Sequence, residues 1–192
     1  MDIGVESFLD RRLKEMGKGT SGGGNIAAVR KARELGVDLG VYMLTFTPDI
    51  TFEELRQEYA HFYQEVIASD AFSKAAFFGF FQELIPYRGT SIYKELADSG
   101  ELINNGAVAG FRFQDPRVAA FYLQYLYSIR FDGLGTAKSK GEILTRVERI
   151  FIDAAEVIKQ PAAFSLVSKV ICELKDDRLL ERFYHEFKKI VT

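Results

Sequence analysis

The chain has 192 residues, 27 acidic and 25 basic, for a formal charge of −2. That balance supplies no basic field to draw it to nucleic acid or anionic lipid, so neither is expected as a partner. It is long enough to bury a real core, and 17 Phe and 9 Tyr with no Trp predict that the core is rich in aromatic contacts.

Residues 2–6 are short and partly β-branched, and read as a strand. Phe8, Leu9, Leu13 and Met16 then recur at helical spacing, which predicts a helix over 8–16 with Ser7 placed to cap it. A glycine-rich bend from Gly17 to Gly24 leads into a second helix marked by Ile26, Val29 and Ala32 and closed by Gly36. Residues 37–46 form the next expected strand, apolar on both faces as a covered parallel strand would be. Thr51 and Glu54 make a capping box, and Phe52, Leu55, Tyr59, Phe62 and Val66 give the following helix one apolar face. Residues 77–85 read as a third strand ended by Pro86. Beyond about residue 110 the periods are helical only, one helix opening at Asp115-Pro116, another running from Ile143 to Ile158, and a last one from Leu179 to Ile190.

This alternation predicts an α/β chain, three parallel strands alternating with helices and followed by an all-helical C-terminal region. A parallel sheet whose first strand begins at residue 2 leaves an uncovered edge, and such edges are seldom left open.

Few local motifs carry chemistry. Gly17-Lys18-Gly19-Thr20-Ser21-Gly22 spells G-x-G-x-x-G, but a helix separates it from the preceding strand, whereas the dinucleotide fingerprint follows its strand directly. His61 and His185 have no second ligand at metal spacing, and no nucleophile elbow is present. Cys172, the one cysteine, lies after Val170-Ile171 and reads as a small buried hydrophobe; it excludes an internal disulfide and fits a reducing compartment. No apolar run approaches the ~18 residues of a membrane span, and Met1-Asp2-Ile3-Gly4 does not open a signal peptide. A cytoplasmic protein without a membrane partner is expected.

Three ordered segments nevertheless resemble the C-terminal half of radical S-adenosylmethionine enzymes of the cobalamin-binding group. Ile3-Gly4-Val5-Glu6-Ser7 with Leu13-Lys14-Glu15-Met16-Gly17-Lys18-Gly19-Thr20 and Asn25 is similar to the fourth strand of that barrel and the stretch after it. Phe46-Thr47-Pro48-Asp49-Ile50-Thr51-Phe52-Glu53-Glu54-Leu55 resembles the end of the fifth strand and the helix that follows. Leu84-Ile85-Pro86-Tyr87-Arg88-Gly89-Thr90-Ser91-Ile92-Tyr93 is similar to the sixth-strand signature, and Phe111-Arg112-Phe113-Gln114-Asp115-Pro116 continues the likeness.

The resemblance implies half of a partial TIM-type barrel over residues 1–110, holding the fourth to sixth strands, and a helical region over 111–192. It implies S-adenosylmethionine as cofactor, with Glu6 and Ser7 at the strand end that meets its ribose and methionine parts and Lys18 placed to pair with its carboxylate. No catalytic residue and no metal ligand is implied in this stretch. The family's four-iron cluster needs three cysteines, and this chain has one; cluster and cobalamin would come from a missing half. A phenylalanine at 46, where many relatives carry glycine, would narrow the site. The expectation is therefore a fragment or split half, inactive alone, whose partner is the N-terminal half of such an enzyme or a second copy. The alternative is a degenerate non-catalytic relative acting as a binding or scaffold partner.

Overall fold

The structure is a computed structural model that describes residues 1–68, 79–104, 109–134, 136–137, 139–170 and 176–191. Cys172, Phe77 and Gly135 lie outside the described residues. The chain forms two compact units, Met1–Leu84 and Ile85–Thr192. These units follow compactness, whereas the expected division at residue 110 follows element type, a different criterion.

The first unit opens with β1 (Asp2–Glu6), α1 (Asp10–Glu15) and α2 (Gly22–Glu34), followed by β2 (Gly40–Met43) and α3 (Phe52–Phe62). Strands β1 and β2 pair in parallel, Ile3 opposite Val41. Among the described residues, 79–85, the third strand does not appear as one. Gly79 and Phe80 are helical, and beyond them Phe81 and Glu83 make only isolated bridges, to Leu44 and Phe46. One parallel rung survives, where Phe46 donates to the Gln82 carbonyl and accepts from the Leu84 amide, both at 2.9 Å. Pro86, with no amide hydrogen, follows two residues later. The result is an α/β unit whose sheet is smaller than the sequence predicts.

Helix α1 is also shorter than expected, starting at Asp10 rather than Phe8. The Ser7 hydroxyl accepts from the Leu9 amide at 3.0 Å, and the Phe8 amide donates to Glu58 at 2.8 Å. The Ser7 carbonyl, which a helix begun at Phe8 would use as its first acceptor, takes the Asn25 side-chain amide at 2.9 Å instead. The first helical carbonyl is that of Leu9, paired with the Leu13 amide at 3.1 Å, and Ser7 holds a turn instead of capping a helix. The capping box of α3 forms as predicted, with Thr51 bonded reciprocally to Glu54. Its face then buries Phe52, Leu55, Tyr59, Phe62 and Val66, as the spacing requires. The last turn relaxes to a π-helix over Tyr63–Ile67. Glu65 within it takes a bidentate pair from Arg30 of α2 at 2.7 and 2.8 Å, which holds its carboxyl below the usual range. The aromatic prediction is realised around Phe80, which meets Phe62 at 4.9 Å and Phe81 edge-on at 4.7 Å.

The second unit contains α4 (Ser91–Asp98), an antiparallel β3–β4 pair (Leu102–Asn104, Ala109–Phe111) that the helical periods do not announce, α5 (Pro116–Arg130), α6 (Lys140–Ala155), a 3-10 turn (Glu156–Lys159), α7 (Pro161–Val170) and α8 (Asp177–Val191). Asp115 caps α5 and Pro116 opens it, as expected. Every residue of α5 from Val118 to Tyr125 is buried, so it is the central helix, packed against α6, α7 and α8. His185 is spent against Tyr127 and Tyr184, just as His61 of the first unit lies against Phe8. Among the described residues no helix is long and apolar enough to cross a membrane.

Candidate functional site

The C-terminal ends of β1 and β2 are where a parallel sheet collects ligands, because successive loops converge there. There the β1 strand ends irregularly. Its register against β2 slips by one residue between Gly4 and Glu6. Glu6 has φ 66°, the one positive value outside glycine among the described residues. The Ser7 amide donates back to the Val5 carbonyl at 2.8 Å, which makes Glu6 the centre of a three-residue γ-turn of the rare, strained hand. The Glu6 carbonyl still accepts from the Leu44 amide at 2.9 Å, so the ladder to β2 survives the turn.

Lys18 reaches this point through the end of α1. Gly17 has φ 68°, and its amide and that of Lys18 close onto the carbonyls of Lys14 and Leu13 at 3.1 and 2.9 Å. This is a Schellman turn, a backbone path that costs glycine little. The G-x-G-x-x-G string therefore begins with a helix stop, not with a phosphate loop. The Lys18 Nζ lies 3.1 Å from Glu6 Oε1, and both side chains are partly exposed. The structure thus brings two of the three expected residues together at an accessible place.

Ser7 is turned inward. It is fully buried and its hydroxyl donates to Glu58, which is fully buried as well. Glu58 Oε1 also accepts from the Arg12 guanidinium at 3.0 Å. Arg12 in turn donates to the Leu44 carbonyl at 2.7 Å, the Thr45 carbonyl at 3.1 Å and the Thr47 hydroxyl at 3.2 Å. One buried ion pair therefore ties the loop after β1 to the loop after β2.

Neither Arg12 nor Glu58 was expected, although the sequence carries a signal for both. Each puts a charge on an apolar stripe: Arg12 between Leu9 and Met16, and Glu58 between Leu55 and Phe62. Charges of opposite sign on two buried faces predict a buried pair, since either alone would be very costly. Phe46 is fully buried too, its ring stacked on Phe81 at 6.0 Å. It packs in the core of this unit.

Two groups of the resembled family can be tested against these residues. A four-iron cluster does not fit, because one cysteine cannot supply three thiolates and no metal-binding group gathers among the described residues. S-adenosylmethionine fits better, since it presents hydroxyl and ammonium donors to a carboxylate and a carboxylate to an ammonium, and Glu6 and Lys18 offer those partners.

No family model matches the chain, and no curated relative matches it. Among solved structures it is similar to the apo, selenomethionine-labelled form of the cobalamin-dependent S-adenosylmethionine radical enzyme OxsB, at 17% identity and TM-score 0.48, over 97% of this chain and 32% of that one. The form of OxsB with aqua-cobalamin and S-adenosylmethionine bound gives TM-score 0.46 at the same identity and coverage. The form with aqua-cobalamin alone also gives 0.46, over 98% of this chain and 33% of that one. The chain spans about a third of the length of the structures it matches.

Proposed function

We propose that this chain is the second half-barrel, with its helical extension, of a cobalamin-type radical S-adenosylmethionine enzyme that performs methyl transfer or a radical rearrangement. Cluster and cobalamin would be held by another polypeptide or by sequence outside this chain, which alone is inactive. The observation that carries the reading is the Glu6–Lys18 pair. The two residues lie 12 positions apart, in motifs that resemble the family's, and the fold brings them together at 3.1 Å beside a strained strand end.

In this role Glu6 accepts hydrogen bonds from the cofactor's hydroxyl or ammonium groups, and Lys18 pairs with its carboxylate. Ser7, buried below, holds the turn that presents Glu6. When bound, the cofactor supplies a methyl group or one-electron chemistry; the residues of this chain bind and orient it. Calorimetry tests the assignment. The isolated chain is expected to bind S-adenosylmethionine weakly, and Glu6→Gln or Lys18→Gln to weaken binding about 10-fold, the loss of one charge-assisted contact. No binding by the parent chain, or binding indifferent to both substitutions, removes the site.

A scaffold role is the second reading, favoured by β1, which among the described residues pairs with β2 alone. An unpaired parallel edge is a template for another strand. If it serves a second copy, light scattering finds a dimer whose population rises with concentration. It falls when Gly4→Pro places proline on the edge strand, with the monomer's fold retained by circular dichroism. A monomer at all concentrations excludes self-association.

A further inference from the structure

The strained turn at Glu6 is held from two sides, and only one of them is the buried ion pair. On the other side stands Asn25, in the first turns of α2. Its side-chain amide donates to the Val5 carbonyl and to the Ser7 carbonyl, both at 2.9 Å, spanning the residues on either side of Glu6. Its Oδ1 accepts from the Thr20 hydroxyl at 3.2 Å, which fixes the amide with its donors toward the turn.

Helix α2 is pressed close enough for this reach by Gly22. The Gly22 amide donates to Asp10 Oδ1 at 2.7 Å, and a side chain there would run into the Phe8 carbonyl.

We infer that Asn25 is a positioning residue whose carboxamide clamps the Glu6 turn, so that a carboxylate stands pre-aimed beside Lys18 to receive the donors of a zwitterionic, hydroxyl-bearing ligand. The inference rests on the proposed S-adenosylmethionine site and adds the means by which it is preorganised. A glutamate in the left-handed region costs stability that glycine would not. The bonds that hold the turn come from the backbone, Asn25 and Ser7, and the Glu6 side chain adds only its partly exposed pair with Lys18. What glycine cannot supply is the carboxylate.

The experiment uses the full chain and two readouts that do not depend on activity. Glu6→Gly is expected to raise the melting temperature by ~3 °C while weakening S-adenosylmethionine binding about 10-fold. Asn25→Ala is expected to return residue 6 to negative φ, read from backbone coupling constants in a labelled sample, and to weaken binding to a similar degree. Thr20→Val, an exposed change, frees the amide without removing it and gives the same shifts in smaller measure if Asn25→Ala fails to fold. A Glu6→Gly chain that melts no higher than the parent, or couplings at Glu6 unchanged by loss of the clamp, overturns the inference. The ligand reading fails separately: strain relief and coupling shifts with no binding by the parent chain leave the clamp standing and the site without its cofactor.

Discussion

Replacing Arg12 with methionine is expected to destabilise the fold by about 3–5 kcal/mol, the cost of leaving half of a buried ion pair behind. The Glu58 carboxylate would keep the Ser7 hydroxyl and the Phe8 amide but lose its cation. The Leu44 and Thr45 carbonyls and the Thr47 hydroxyl would lose their donor as well. Glu58→Leu alone is expected to cost a similar amount, because the guanidinium would then be buried without an anion. The double replacement is expected to fall short of the sum by about 2–3 kcal/mol, since removing both charges removes the uncompensated one. The pair itself is not optimal: Arg12 Nε is buried without an acceptor among the described residues, which limits what the ion pair adds over an apolar pair. Urea denaturation at constant slope reads all three variants. Costs that add within ~0.5 kcal/mol would mean that Arg12 and Glu58 act independently.

What the sequence made legible follows from the range of the forces involved. Helix caps and apolar faces are set within a few residues, so the Thr51–Glu54 box, the Asp115-Pro116 start and the buried stripe of α3 form as predicted. The third strand depended on distant pairing, and only Phe46 reaches it with a parallel rung. The shortened α1 has the same origin. Phe8 fits a helical period, yet the Ser7 carbonyl that would start the helix is claimed by Asn25, 18 residues away. The candidate site divides in the same manner. Glu6 and Lys18 could be named from local motifs, whereas the burial of Ser7 and the roles of Arg12, Asn25 and Glu58 exist only once α2 and α3 have packed on the sheet.

The glycine triplet at the start of α2 gives a prediction of opposite signs at adjacent positions. A helix start with three glycines is expensive in backbone entropy, so each should be improved by alanine unless space forbids it. At Gly23 an added methyl group meets nothing within 4 Å. Gly23→Ala is therefore expected to stabilise the chain by about 0.5–1 kcal/mol, a rise of ~1–4 °C in melting temperature. At Gly22 the same methyl meets the Phe8 carbonyl, a backbone atom fixed by the turn after β1. Helix α2 would have to move away, and Gly22→Ala is expected to cost about 1–3 kcal/mol as an overpacked contact. That displacement also withdraws Asn25 from the Val5 and Ser7 carbonyls, so the Glu6 turn relaxes and S-adenosylmethionine binding weakens with it. Thermal melts of the two single variants decide the matter. If both shift the same way, α2 is not seated against Phe8, and Asn25 does not reach the strand end through that contact.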